Sequence, residues 1–289
     1  MKHEGEPRYR AHLISGGYPA GASAGHDMDY ARLRLLEALY EDSRFSTTVS
    51  SDFSDLGRWL DGADLLVTYV AGPYPDEPQN DCLRDWLDSG GRWLALHGTS
   101  GGKAASIDGD RRRRAMVKTS HHETLGGFFL NHPPVRRFLV DVAESDHPLV
   151  RGLPQTFEVE DELYLVELQD PPATEILLTT ELPEDPSPTG FGFVYENDTA
   201  LQPDGRTRVL GFSKKAGRGE VVYIALGHCH SPSSNVQPFV DDSLETGGVT
   251  PKLFRGPWEN DAFQQLLRNG CEWGAQVKPS PGVPSQGRP

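Results

Sequence analysis

Between Arg10 and His97, apolar strand-type runs alternate with helix-type runs, and this alternation constrains the fold more than any other feature. Arg10 to Ser15 is a short apolar run leading into Gly16-Gly17. Asp29 to Tyr40 places apolar residues at helical spacing behind an aspartate suited to capping. Phe45 to Ser51 alternates like a strand, and Asp64 to Val70 is continuously apolar. Asn80 to Ser89 is amphipathic, with Cys82, Leu83, Trp86 and Leu87 on one helical face, and Gly90 to His97 reads as a fourth strand. Strand and helix in strict alternation predict a parallel sheet wound by right-handed crossovers.

The second half changes character. Val135 to Asp141, Glu175 to Thr179, Gly192 to Tyr195, Arg208 to Phe212 and Gly219 to Leu226 all have strand patterns, with Ala216 to Gly219 as a hairpin turn. Glu259 to Gln276 returns to helix, burying Phe263, Leu266, Leu267, Cys271 and Trp273. No internal repeat or composition break interrupts the chain, so residues 8–276 are expected to form a single α/β domain. The Pro/Ser/Gly-rich tail, residues 277–289, is expected to be disordered.

The net charge of −14, from 28 basic and 42 acidic side chains, repels phosphate backbones and anionic lipid, which argues against nucleic-acid and membrane partners. No apolar run is long enough for a membrane-spanning helix, and the charged amino-terminus has no apolar signal-peptide core. The three cysteines, Cys82, Cys229 and Cys271, show no metal-knuckle spacing and fit reduced thiols in a cytoplasmic protein. One basic run, Arg111 to Arg114 followed by Lys118, could capture an anion. Beside Asp108 and Asp110 it reads as a solvated loop or helix face. A homo-oligomer is left open.

Position singles out a few of the ten histidines. His97 ends the fourth strand in Leu96-His97-Gly98-Thr99-Ser100-Gly101, where Gly98 allows a sharp turn close to the imidazole. In an open α/β sheet, strand carboxyl ends face the ligand crevice. The competing reading is a strand that merely ends in a hydrogen-bonded histidine. His228 and His230 follow the run Val221 to Leu226, would share one side if the strand continued, and Gly227 clears space beside His228. Two parallel strands ending in glycine-adjacent histidines could bring His97 and His228 into one crevice. His132 closes the glycine-rich connection Gly126 to Pro133, and the proline holds it extended. His147 reads as part of an ordered turn, and His121 and His122 as part of a polar linker.

Carboxylates come from Phe157 to Tyr164. Alternation places Glu158, Glu160 and Glu162 on one side and Val159, Asp161 and Leu163 on the other, unless a bulge intervenes. A carboxylate among imidazoles serves as metal ligand, orienting partner or general base. If these groups meet, a divalent metal such as zinc is expected to act there, because such an ion lowers the pKa of bound water from 15.7 to roughly 7.

Six segments, in order along the chain, resemble the trehalose-utilisation (ThuA-like) family from about Arg10 to Ala275. They are Gly91 to Gly98, Gly126 to Pro133, Asp146 to Pro154, Asp161 to Tyr164, Gly217 to His228, and Asn269 to Trp273. The resemblance implies an α/β fold of the class I glutamine amidotransferase-like type: a flavodoxin-like, doubly wound, mostly parallel sheet with an added β-rich portion. It also implies a link to sugar metabolism, with His97, His132, Glu162 and His228 as site residues. Class I amidotransferases carry a nucleophilic cysteine at the strand-to-helix elbow. Here the elbow carries His97 and no cysteine is near it in sequence, so glutaminase activity is not expected. Ser100 has no evident base.

The expected function is a sugar-processing hydrolase or lyase acting on a glycoside or keto-sugar, with a small-molecule carbohydrate as partner. His97, Glu162 and His228 are the expected catalytic residues, and His97, His132 and His228 the expected metal ligands. Gly98, Thr99, Ser100, His132, His230 and Trp258 are expected to bind substrate. Trp258 and Tyr74 could stack on a sugar face, against the competing reading of loop anchoring. The rival class is a carbohydrate-binding or regulatory protein that retains the crevice without chemistry.

Overall fold

The computed structural model describes residues 9–16 and 25–276, apart from the side chains of 111 and 112. The first half runs β1 (Tyr9–Gly16), α1 (Met28–Glu41), β2 (Phe45–Ser50), α2 (Leu56–Leu60), β3 (Leu65–Val70), α3 (Glu77–Asp88) and β4 (Arg92–Leu96). Then come the hairpin β5 (Lys103–Ile107) and β6 (Asp110–Val117), α4 (Ser120–Leu125), β7 (Gly127–Asn131), β8 (Arg136–Val142), β9 (Thr156–Asp161) and β10 (Leu165–Leu168). The chain closes with β11 (Thr174–Glu181), β12 (Thr207–Ala216), β13 (Gly219–Ile224) and α5 (Asp261–Gly274).

Nine strands form one sheet in the order β2-β1-β3-β4-β13-β12-β11-β8-β9. The first five are parallel and the remaining pairings antiparallel, so a flavodoxin-like half carries a β-rich extension. The strand order reverses direction at β1 and β3, which sends α1 to one face and α2 and α3 to the other under the right-handed crossover rule. In agreement, α1 packs against α5, and α3 against α2 and α4.

Local chemistry explains the helix ends. Asp27, not the expected Asp29, caps α1 through Tyr30 N, Asp29 lying within the first turn; Asp76 and Gln79 form a reciprocal capping box on α3, and Asn260 accepts from Ala262 N and Phe263 N on α5. β3 and β13, flanked on both sides and covered on both faces, are buried at every residue.

Several expectations are corrected. Gly192 to Tyr195 is not a strand but a loop segment. Phe193 N donates to the side chain of Asn131, and Val194 N to Arg114 O, so its hydrogen bonds go to other elements rather than to a ladder. The connection Gly126 to Pro133 contains β7, which pairs with β10. The arginine run lies on β6 of a hairpin, neither in a loop nor on a helix. His121 and His122 sit on α4 and are buried, donating to the carbonyls of Thr99 and Gly101 that follow β4. The expected tail lies outside the described residues. Among the described residues no helix is long and apolar enough to cross a membrane.

At the far end of the sheet from those carbonyls, Glu220 joins β13 to its surroundings. Its carboxylate accepts from Ser213 Oγ and Trp273 Nε1, with Lys215 Nζ at 2.7 Å and His147 Nε2 at 3.4 Å. Burial raises its pKa, but the His147, Lys215 and Ser213 contacts outweigh that and bring it from 4.5 down to about 2. A depressed folded pKa contributes stability above the unfolded value and loses it as pH falls through the folded one. Glu220→Gln should therefore cost about 2 kcal/mol at neutral pH. In urea denaturation the gap to wild type should be full above about pH 5 and close progressively towards pH 2. A pH-independent gap would mean that packing, not charge, sets the effect.

Candidate metal centre

Three parallel strands deliver histidines to one point. His26 follows β1, His97 follows β4 and His228 follows β13, all at carboxyl ends. His97 takes a left-handed backbone, φ 44°, as the chain leaves β4. A side chain at Gly98 would put Cβ 2.4 Å from Val70 O, so only glycine permits this elbow. Gly227, at φ 136°, similarly lets the chain pass the ring of His97.

The carboxylate arrives from the opposite end of the sheet. The antiparallel extension curls back until the end of β9 meets the end of β13. Asp161 Oδ2 accepts from Gly227 N at 2.7 Å, and Oδ1 from His228 N and Glu162 N, each at 2.8 Å. The strand stops there and alternation stops with it. Glu158 is exposed and Glu160 half-exposed beside Arg137, whereas Glu162 turns inward and is 2% exposed.

His97 Nε2 and His228 Nδ1 each lie 3.3 Å from Glu162 Oε2, with His26 Nε2 at 3.7 Å from that oxygen and 3.0 Å from His97 Nε2. One ligand atom from each of the four residues falls within 4.8 Å of every other. A tetrahedral ion with bonds near 2.0 Å would space its ligands about 3.3 Å apart, so the set has dimensions for a divalent cation such as zinc.

The tautomers sharpen this fit. His97 Nδ1 lies 2.7 Å from Ala225 O, which only accepts, so Nδ1 carries the hydrogen. His230 Nε2 donates to Pro251 O, which leaves its Nδ1 to accept from His228 Nε2 at 3.0 Å. Burial lowers the pKa of His97 to about 4 and of His228 to about 3, so both rings are neutral near pH 7. His97 Nε2 and His228 Nδ1 therefore aim lone pairs at a carboxylate oxygen. Burial raises the Glu162 pKa, but neighbouring imidazoles, His132 foremost, outweigh that and hold it well below the usual range. Three acceptors converge; His26 Nε2 is the neighbour that can bring a hydrogen to His97 Nε2, while Glu162 Oε2 and His228 Nδ1 are buried without a hydrogen-bond partner. A divalent cation would satisfy all of them.

The other expected site residues divide. His132 sits beside the cluster rather than in it, its Nδ1 tied to Pro133 O and its Nε2 3.6 Å from the other Glu162 oxygen. His26 joins His97, Glu162 and His228 in the cluster, and His132, one of the three expected ligands, lies outside it. His230 supports His228 from behind. Thr99 bonds to Thr68, Ser100 to Tyr223, and both are fully buried, so neither can touch a substrate. Trp258, also fully buried, donates to Gly227 O, which makes it an anchor and not a stacking platform. Gly98 does reach the surface of a cleft of about 1040 Å³, together with Tyr74, His26, His132 and Glu162. His26 was the residue missed. Its signal is faint: a histidine beside the capping Asp27, on the connection leaving β1 at the same sheet edge as His97.

Cys229 is adjacent to His228, yet burial pushes its thiol up to about 12 and its hydrogen bond goes to Asp27 O. Burial therefore disfavours a thiolate at this position.

The fold and site define a flavodoxin-like α/β protein with a histidine–carboxylate cluster at its parallel strand ends. The chain belongs to the ThuA family, described as trehalose utilisation, whose model matches residues 19–242. It is similar to a ThuA-like protein from Bacteroides uniformis at 17% identity and TM-score 0.59, covering 95% of this chain and 94% of that one. A ThuA-like protein from Parabacteroides merdae matches at 19% identity and TM-score 0.55, covering 97% and 94%. These likenesses concern the fold. No protein of curated function matches the sequence.

Proposed function

We propose that the protein is a metal-dependent enzyme of carbohydrate metabolism, a hydrolase or lyase acting on a glycoside or keto-sugar. The observation that carries this reading is the convergence of imidazole nitrogens on the buried Glu162, with Glu162 Oε2 and His228 Nδ1 left without a hydrogen-bond partner. A divalent ion held by His26, His97, Glu162 and His228 would act as a Lewis acid on a sugar hydroxyl, carbonyl or water only by taking that oxygen as a fifth ligand.

The chain's own residues supply the rest. Tyr74, Phe129 and Phe191 give the cleft aromatic walls of the kind that cover sugar faces, and the cleft has room for a disaccharide-sized ligand. Gln237 Nε2 donates to Glu162 Oε1, so the carboxylate is oriented from the cleft side. His132, at the cleft wall with Nε2 3.6 Å from Glu162 Oε1, is, with His26, an imidazole a substrate can reach, and it is placed to hold or pass a proton. His97 and His228, fully buried, act from behind. Trehalose enters through the family description alone; the link to trehalose rests on no residue of the cleft. Free Cys82, Cys229 and Cys271 suit the reducing cytoplasm we assign to it.

The test is metal content of the purified, tag-free protein against His97→Ala and His228→Ala. Near-stoichiometric metal in wild type, lost in both variants with the fold intact, supports the reading and justifies a screen of glycosides and keto-sugars. Wild type that takes up no zinc, manganese or nickel on reconstitution overturns it. Metal with binding but no turnover across the screen would favour a carbohydrate-binding protein.

A further inference from the structure

The β5–β6 hairpin forms a wall of the same cleft, and it brings two cations there. Ala104, Arg114 and Met116 line the cavity along the hairpin, and Lys103 lines it at the hairpin's base. Neither Lys103 nor Arg114 forms an ion pair with any described residue, although the chain has 42 acidic side chains to 28 basic ones. Among the described lining residues the sole carboxylate is Glu162, which is buried and turned to the histidines.

Arg114 is held in place. Its guanidinium sits 5.1 Å over the ring of Phe193, its carbonyl accepts from Val194 N at 2.8 Å, and Phe193 itself lines the cleft and packs edge-on against Phe129. A guanidinium anchored on an aromatic face keeps its N–H fork free for a planar or tetrahedral oxyanion. Two uncompensated cations in a cleft also concentrate anions locally, against the repulsion of the chain as a whole.

We propose that Lys103 and Arg114 form an anion subsite, so that the ligand of this cleft is a sugar bearing a carboxylate or a phosphate. The inference rests on the reading of the cleft as a carbohydrate site. The ring lies between the aromatic walls, its reacting oxygen faces His26 and Glu162, and its anionic group docks on the hairpin.

Calorimetric titration with methyl β-glucuronide, glucose 6-phosphate and neutral methyl β-glucoside tests it, on wild type and on the Lys103→Ala/Arg114→Ala double variant. Both side chains are exposed, so the double variant should fold, and circular dichroism checks this. Wild type should bind one of the anionic probes at least tenfold more tightly than the glucoside, about 1.4 kcal/mol. The preference should weaken with salt and shrink to less than twofold in the double variant. Which anionic probe binds separates a uronate from a phosphate ligand. Equal binding of anionic and neutral probes, an undiminished preference in the double variant, or no binding of either anionic probe at millimolar concentration overturns the subsite. Metal content measured on the same samples keeps the two readings apart. Metal without anion preference removes only the subsite, and anion preference without metal removes only the metalloenzyme.

Discussion

Glu162→Gln should yield a folded protein that retains no tightly bound divalent cation after dialysis. The change is isosteric and removes one charge. A carboxamide can still accept from Gln237, and its N–H₂ can donate to His228 Nδ1 or His97 Nε2, the lone pairs that face Glu162 Oε2 at 3.3 Å. Converging acceptors would then have a hydrogen to share, so the metal-free variant should be at least as stable as metal-free wild type. Metal affinity should drop by more than the 10–100-fold typical of losing a supporting contact, because a ligand itself is gone. Turnover on any sugar that wild type converts should fall by 10²–10⁴ or more, the contribution of a positioned base alone. Equilibrium dialysis with elemental analysis reads the first effect and thermal unfolding of both metal-free proteins the second. A variant that keeps wild-type metal content would remove Glu162 from the ligand set.

Asp161→Ala should be the most destabilising change near the site that touches no ligand directly. It strips the acceptor from three buried backbone N–H groups, those of Gly227, His228 and Glu162. Each unsatisfied N–H costs about 1–3 kcal/mol, so a loss of about 3 kcal/mol or more is expected in urea denaturation. Two of those residues are the proposed ligands His228 and Glu162, so metal affinity should fall as well. Asp161→Asn separates the causes. Oδ1 accepts from His228 and Glu162, and an asparagine oxygen can keep both, leaving only Gly227 N facing an amide. The asparagine variant should therefore lie between wild type and alanine in both stability and metal affinity. Equal losses in the two variants would show that charge, and not the count of accepted hydrogen bonds, is what holds the strand ends together.

How much of this was legible in the sequence varies residue by residue. His97 and His228 could be paired because each follows a continuous apolar run with a glycine beside it, and parallel strands in one sheet end on the same edge. Their strands, β4 and β13, prove to be hydrogen-bonded neighbours. His26 could not be paired in this way, because nothing local distinguishes a histidine on the long β1–α1 connection. Whether Trp258 stacks on a ligand or anchors its loop is undecided in the sequence for a similar reason. A tryptophan among prolines and glycines looks alike in sequence whether it faces a cleft or, as here, closes on Gly227 O. The arginine run reads as solvated surface by composition, and only its pairing with β5 turns Arg114 to the cleft.

By itself, the sequence determined what short-range periodicity and chain handedness control: the parallel α/β half and the edge of the sheet where His97 and His228 emerge. Tertiary structure alone decided what depends on where a strand stops. Alternation would have kept Glu162 on the exposed side with Glu158 and Glu160. It faces the histidines because β9 ends at Asp161, whose carboxylate is captured by backbone N–H groups 66 and 67 residues further along the chain. Side-chain direction within a strand follows from a period of two residues, but the end of a strand is set by partners that only the folded chain brings near.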